Sequence, residues 1–298
     1  MTKVCWWYFA FLLLVGCSGA IHIENDILGS RHHNGDKYFT HGTKFSYFPE
    51  QENDIEKETY SIGQNIYTPS IRYTRAEFVK DTLEKDRPYA GWLYGEYRRS
   101  KAKSDTLTDT IGAQIGCSGA CAFARQTQQE THRILGQSIP LWDTDYTLRQ
   151  EWGVILEAER QYLLKRWEYA DAKVHGNLKA GNIVDSAGIG FSFRNGYNLD
   201  RFQPEPIIFK TVRVIPDYTA YFFIEGEQRA VVFNHFLEGS LFHSEPHTVS
   251  PERFVQELNA GFTVGYKQFR LTYRYTVFSN EWKERNGSFA FGGLDLKW

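Results

Sequence analysis

Along much of this chain apolar and polar side chains alternate with a period of two. From residue 268 to 278, Phe269, Leu271, Tyr273, Tyr275 and Val277 share one face; Gln268, Arg270, Thr272, Arg274 and Thr276 share the other. The preceding segment sets Leu258, Ala260, Phe262, Val264 and Tyr266 against Glu257, Asn259, Gly261, Thr263 and Gly265. A tight turn at 266–268 makes the two a hairpin. Ala187, Ile189, Phe191 and Phe193 alternate in the same way with Gly188, Gly190, Ser192 and Arg194. The pattern predicts 12 strands, near 21–28, 39–48, 57–67, 89–100, 105–116, 150–163, 165–179, 182–195, 217–232, 254–266, 268–281 and 286–298. The span 196–216, with Pro204, Pro206 and Pro216, reads as a long connection. One stretch departs from the period. Cys121–Gly136 is rich in helix formers and ends on a glycine suited to a C-cap. In that helix Phe123, Ile134 and Leu135 give a modest apolar side, while Gln128 and His132 project together, four residues apart.

The two ends of the chain decide what solvent these strands meet. The last predicted strand puts Ala290, Gly292, Leu294, Leu296 and Trp298 on one face and Phe289, Phe291, Gly293, Asp295 and Lys297 on the other. A terminal strand that stops on an aromatic resembles the closing strand of an outer-membrane barrel. At the other end Lys3 precedes an apolar run, Val4–Val15, too short to span a bilayer but laid out as a secretory leader. Ser18-Gly19-Ala20 offers a small-x-small cleavage site, giving a leader of 1–20 and a mature chain of 21–298. A competing reading is Leu14-Val15-Gly16-Cys17, which resembles a bacterial lipobox with Cys17 as a lipidated amino terminus. Both readings export the protein. No later run approaches a membrane helix, so any membrane span must be a barrel.

Composition agrees. The chain is 42% hydrophobic yet contains 18 Tyr and 22 Phe, as expected when half of each strand faces lipid and half a polar interior. A net charge of −2 lacks the basic excess of a nucleic-acid binder. The expected fold is all-β: a transmembrane antiparallel barrel of about 12 strands, monomeric, with a short helix in an outer-face loop. An even strand count returns both termini to the periplasmic side. The outer connections are then 29–38, 68–88, 117–149, a turn near 180–181, 233–253 and 282–285.

Four polar elements look chemical: Glu24-Asn25-Asp26, Asp36-Lys-Tyr-Phe-Thr40-His-Gly42, Gly63-Gln-Asn-Ile-Tyr67-Thr-Pro69 with Asp86-Arg-Pro-Tyr-Ala-Gly91, and Gln128-x-x-x-His132-Arg-Ile-Leu-Gly136. Taken singly, His132 is one of nine histidines, on a wet loop, and Asp26 a strand terminator. As an ordered set over residues 21–160 they resemble the outer-membrane lipid A 3′-O-deacylase family. The resemblance implies a Ca2+-dependent site at the outer rim. It places Asn25, Thr40 and His132 at catalytic positions and Asp26 at the metal, with lipid A or lipopolysaccharide as substrate and loss of the 3′-linked acyloxyacyl group as the reaction. The residue types suit that chemistry. Histidine serves as a base for water near neutral pH. A hard cation takes oxygen ligands such as Asp26 and stabilises an oxyanion. Asn25 could donate to the oxyanion or orient water, and Thr40 could position water or hold His132.

The chain departs from the family at Cys117-Ser-Gly-Ala-Cys121, where a Gly-Pro and no cysteine pair is expected. In an oxidising compartment the two cysteines are expected to form a disulfide. Asp86-Arg87-Pro88 reads as a turn with an internal ion pair, and His32-His33 as a turn tip. The rival readings are a non-catalytic barrel (a channel, a surface-binding protein or an inactive relative of the deacylases) and a phospholipid esterase.

Overall fold

A computed structural model describes residues 18–29, 37–50, 55–70, 84–199, 218–267, 269–285 and 287–298. Twelve antiparallel strands close into a barrel. They are β1 (Ser18–Asn25), β2 (Tyr38–Phe48), β3 (Glu56–Thr68), β4 (Ala90–Ala102), β5 (Leu107–Ser118), β6 (Glu151–Arg166), β7 (Ala170–Gly181), β8 (Val184–Tyr197), β9 (Tyr218–Asn234), β10 (Phe254–Tyr266), β11 (Phe269–Phe278) and β12 (Phe289–Lys297). Two helices lie between strands: α1 (Ala124–Leu135) after β5 and the single turn α2 (His235–Glu238) after β9. No described helix is long and apolar enough to cross a membrane. The prolines of 204–216, the His32-His33 pair and Asp36 lie outside the described residues.

The alternation settles each strand's register. Outward positions such as Ile62, Ile111, Ile115, Trp152, Ile189, Phe222 and Leu258 are exposed, as a lipid-facing surface requires. Inward positions carry charge. His22, Glu24, Lys44, Glu96, Arg98, Arg229, Glu257, Arg274 and Asp295 line a lumen cavity of about 590 Å³. These charges cross-link the wall: Arg274 Nη1 lies 2.6 Å from Glu225, and Arg229 bridges Glu227 at 2.8 Å and Glu257 at 2.9 Å. Toward the outer end aromatics replace the ions. Phe39 packs on Phe291 with ring centres 4.7 Å apart, and Tyr67 stacks on Phe236 at 4.8 Å. This layer narrows the lumen beneath the outer loops.

Some expectations need correction. The first strand begins at Ser18, three residues before Ile21, and ends at Asn25. Asp26–Leu28 is instead a 3-10 turn, because the Asn25 side chain caps it, accepting the Ile27 N–H at 2.8 Å. Asp86 and Arg87 form no internal ion pair. The Asp86 carboxylate accepts the Ser70 and Arg87 backbone N–H groups at 2.7 and 2.8 Å. The Arg87 guanidinium lies over Tyr67, 3.4 Å from Glu281. Both residues are buried, so burial pushes the Asp86 carboxyl above its usual range and these backbone donors hold it in place. The apolar side assigned to the loop helix faces away from the wall: Phe123, Ile134 and Leu135 are exposed and Ala124, Gln128 and His132 are buried.

Candidate active site

Which side of the wall the loop helix occupies follows from strand parity. On β3, Thr59, Asn65 and Tyr67 line the lumen, so Gln64, Ile66 and Thr68 point outward with exposed Tyr60 and Ile62. On β4, Tyr94, Glu96 and Arg98 line the lumen and Gly91 points outward. The outward set holds the helix. Gln64 Nε2 donates to the Ala122 carbonyl at 2.6 Å. Ile66, Tyr89, Ala124 and Trp142 form one buried cluster. A Cβ at Gly91 would lie 2.4 Å from the Ala124 Cβ, so a glycine is required for the helix to approach. α1 therefore rests against the outside of the barrel wall, on the lipid-facing side of β3 and β4.

The start of the helix is pinned from β5. Cys117, at an outward position, is bonded to Cys121, with Cα atoms 6.1 Å apart. Next to it Ser118 Oγ lies 2.7 Å from His235 Nε2. His235 Nδ1 sits 3.1 Å from the Gly239 carbonyl, which can only accept, so Nδ1 carries the proton and Ser118 donates to Nε2. Burial lowers the His235 pKa, with Glu151, 3.8 Å from Nδ1, acting against it. The end of the helix is closed by Gly136 at φ 67°, with the Gln137 N–H returned to the His132 carbonyl at 2.9 Å.

On this outer surface the four candidate residues take distinct positions. Asn25 points outward at the end of β1 and pairs across to His41, which brings Asp26 beside Thr40. Asp26 is buried and its carboxylate accepts the Lys37 N–H at 2.9 Å. Thr40 is the extra residue of a β-bulge, since Phe39 pairs with Tyr67 and His41 with Ile66. The bulge turns its hydroxyl to within 2.6 Å of the Thr68 hydroxyl, and both threonines are buried. His132 lies on the buried face of α1, its Nδ1 2.6 Å from the Ser138 carbonyl. That carbonyl accepts, so the proton is on Nδ1 and Nε2 is the basic nitrogen. What orients the imidazole is thus the Ser138 backbone, and the Thr40 hydroxyl is engaged by Thr68. One turn earlier Gln128 accepts the Trp142 indole N–H at 2.6 Å. Asn25, Asp26 and Thr40 thus gather at the outer ends of β1 and β2, beside the strands β3 and β4 that carry α1.

A model of the family "Outer membrane protein LpxR" matches residues 13–298. The chain belongs to this family. It is the lipid A 3′-O-deacylase family that the ordered motifs resemble, and it places the protein in the bacterial outer membrane. Among solved structures, LpxR from Salmonella typhimurium superposes with a TM-score of 0.77 at 20% identity, covering 94% of this chain and 99% of that one. The β domain of the Bordetella autotransporter BrkA gives a TM-score of 0.52 at 7% identity, covering 95% and 98%, a likeness of barrel fold alone. A search of curated proteins finds no match.

Several residues that build the site escape sequence pattern. Gln64 and Gly91 fall inside motifs singled out above, but their task, docking a helix on the outer wall, requires the partner. Thr68 also lies inside the Gly63–Pro69 motif, whereas Ser138 and Trp142 carry no local signal.

A bound Ca2+ would have to use what is present. Among the described residues no group of three or more His, Cys, Asp or Glu could hold a metal. Asp26 is a buried carboxylate at the outer end of β1, and its hard oxygen suits Ca2+. With one carboxylate the remaining ligands must be neutral oxygens from backbone, water or substrate, the composition of a weak site.

Proposed function

We propose that this protein is a Ca2+-dependent esterase of the outer leaflet that removes the 3′-linked acyloxyacyl group from lipid A. The observation that carries the reading is the side of the wall that α1 occupies. The helix that carries His132 packs on the outward face of β3 and β4 near the outer rim, the end of the barrel where Asn25, Asp26 and Thr40 also lie. A channel would place its working residues in the lumen, and here the lumen charges are paired along the wall.

The tautomer fixed by Ser138 presents His132 Nε2 as the base that takes a proton from water as it attacks the ester carbonyl. Asn25 uses its side-chain oxygen to cap the turn at Ile27, which leaves its NH2 group to donate to the developing oxyanion. Ca2+ held by Asp26 would supply positive charge to that same oxygen. Thr40, locked to Thr68 in the bulge, shapes the floor beside Asp26 and positions water. The imidazolium then returns its proton to the departing sugar oxygen, which balances the hydrolysis.

The test is mass spectrometry of lipid A from cells making the protein or its His132→Ala variant. Loss of one acyloxyacyl group with the parent chain alone supports the reading. Unchanged lipid A, with folded protein in the outer membrane and Ca2+ present, rejects it. Release of fatty acid from phospholipid in the same membranes would favour the phospholipid esterase.

A further inference from the structure

We propose, building on the esterase reading above, that His41 binds the phosphate at the 4′ position of lipid A, next to the ester that is cut, and so sets which lipid A the site accepts. His41 stands on the outward face of β2. Its register partners there are Asn25 on β1 and Ile66 on β3, and Ile66 belongs to the buried cluster that seats α1. His41 therefore separates Asn25 from the strand that carries α1. Below it on the same face Thr43 pairs with Ile23 and Phe45 with Ile21. Ile23, Phe45 and Tyr47 are exposed, as lipid-facing residues are. Polar side chains are costly against hydrocarbon, so the change from Phe45 to Thr43 and His41 marks the level of lipid headgroups. The Thr43 hydroxyl lies 2.6 Å from His41 Nε2 and orients the ring.

The other flank of Asn25 does not suit an anion. There Asn25 pairs with Gly292 of β12, and a Cβ at Gly292 would lie 2.5 Å from the Leu28 carbonyl oxygen. The turn Asp26–Leu28 thus lies over Gly292, held by the Tyr273 hydroxyl, which donates to the Leu28 carbonyl at 3.0 Å. Backbone fills that flank, and the group it presents is an acceptor. In lipid A the 3′ ester and the 4′ phosphate are carried by adjacent carbons of one sugar ring. A sugar that sets its ester carbonyl at the Asn25 NH2 group then holds the phosphate beside it, on the side of His41. Opposed residues of an antiparallel pair have Cβ atoms about 4.5–5.5 Å apart, within the span of two neighbouring ring substituents. Imidazole offers an N–H to phosphate whether neutral or protonated, and a hydrogen bond to a charged group is worth about tenfold or more in affinity.

The test uses the full chain, purified in detergent, with barrel closure checked by heat-modifiable gel migration. Binding is measured with Ca2+ present in the His132→Ala background, so that turnover does not intervene, against lipid A with its 4′-phosphate and lipid A from which a phosphatase has removed it. The phosphorylated form should bind about tenfold more tightly. His41→Ala should abolish the difference, and His41→Lys, which keeps a donor, should retain it. Equal affinity of the background protein for the two lipids, a difference that survives His41→Ala, or an equal loss for both lipids overturns the proposal. If His41→Ala does not close, Thr43→Val is the second variant: freeing the ring should shrink the preference about threefold, and an unchanged preference overturns the role given to His41. Acyloxyacyl release by the parent judges the esterase reading separately, so either can fail while the other stands.

Discussion

Gly91 is where the docking of α1 and the proposed role of its His132 can be tested most sharply. In Gly91→Ala the new Cβ would lie 2.4 Å from the Ala124 Cβ and 3.0 Å from the Ala122 Cβ. Carbon atoms rest about 3.7 Å apart, so α1 must retreat from the wall by about 1.3 Å. The wall is a hydrogen-bonded strand, and the start of the helix is tied by the Cys117–Cys121 bond and by Gln64. The shift therefore tilts the helix and carries His132 with it. Overpacking of this kind costs about 1–3 kcal/mol, taken here by the helix contact while the barrel stays closed. A displacement near 1 Å of a catalytic base lowers turnover about 100-fold. The assay is the initial rate of acyloxyacyl release from lipid A in detergent with Ca2+, beside heat-modifiable gel migration to confirm the barrel. Gly91→Ala should fold and lose about 100-fold in kcat. Adding Ala124→Gly removes the closer clash and should restore at least about tenfold, a coupling of about 1.4 kcal/mol between touching residues. A Gly91→Ala enzyme within threefold of the parent, or a double variant no better than the single, refutes the argument that α1 must lie against the wall for His132 to act.

Other outcomes follow from the same geometry. Asp26→Asn should leave an intact barrel and remove the response of the rate to added Ca2+; a parent-like Ca2+ titration would exclude Asp26 as a ligand. His132→Gln should cut kcat about 100- to 10,000-fold with little change in KM, as loss of a general base does; an equal rise in KM would point to a binding role. Thr40→Val breaks the Thr40–Thr68 hydrogen bond and strands a buried hydroxyl, so the unfolding midpoint should fall with a cost of about 1–3 kcal/mol. Acidification tests the Ser118–His235 pair. Burial holds the native His235 pKa below its unfolded value near 6.5, so the unfolded chain takes the proton first. The stability contributed by neutral His235 is full above about pH 6.5 and declines as pH falls below it. Thermal midpoints between pH 7 and 5 should therefore drop more steeply for the parent than for His235→Asn; parallel curves would refute the link.

The sequence by itself determined the wall. Period-two alternation and a closing aromatic strand point to a 12-stranded barrel, because in a bilayer each strand must be apolar outward and hydrogen-bonded on both edges. The helix and its Gly136 cap were legible for a similar reason: capping and periodicity are local. Local rules also misled. Phe123, Ile134 and Leu135 read as the packing side of α1, yet they are exposed, and Gln128 and His132 are buried instead, against the outward face of the wall. Asp86 and Arg87 looked like neighbours paired in a turn, but the backbone claimed the carboxylate and Tyr67 the guanidinium. Only the tertiary structure decided on which side of the wall the site lies. That depends on closure of the sheet, which sets the parity of Gln64, Ile66 and Gly91, and on a distant segment that these positions receive, α1 and the Ala122 carbonyl before it, the latter 58 residues along the chain from Gln64. The choice of the Ser138 carbonyl to orient His132, and of Gly19 to receive Trp298, likewise comes from chain segments meeting in space, which no pattern along the sequence records.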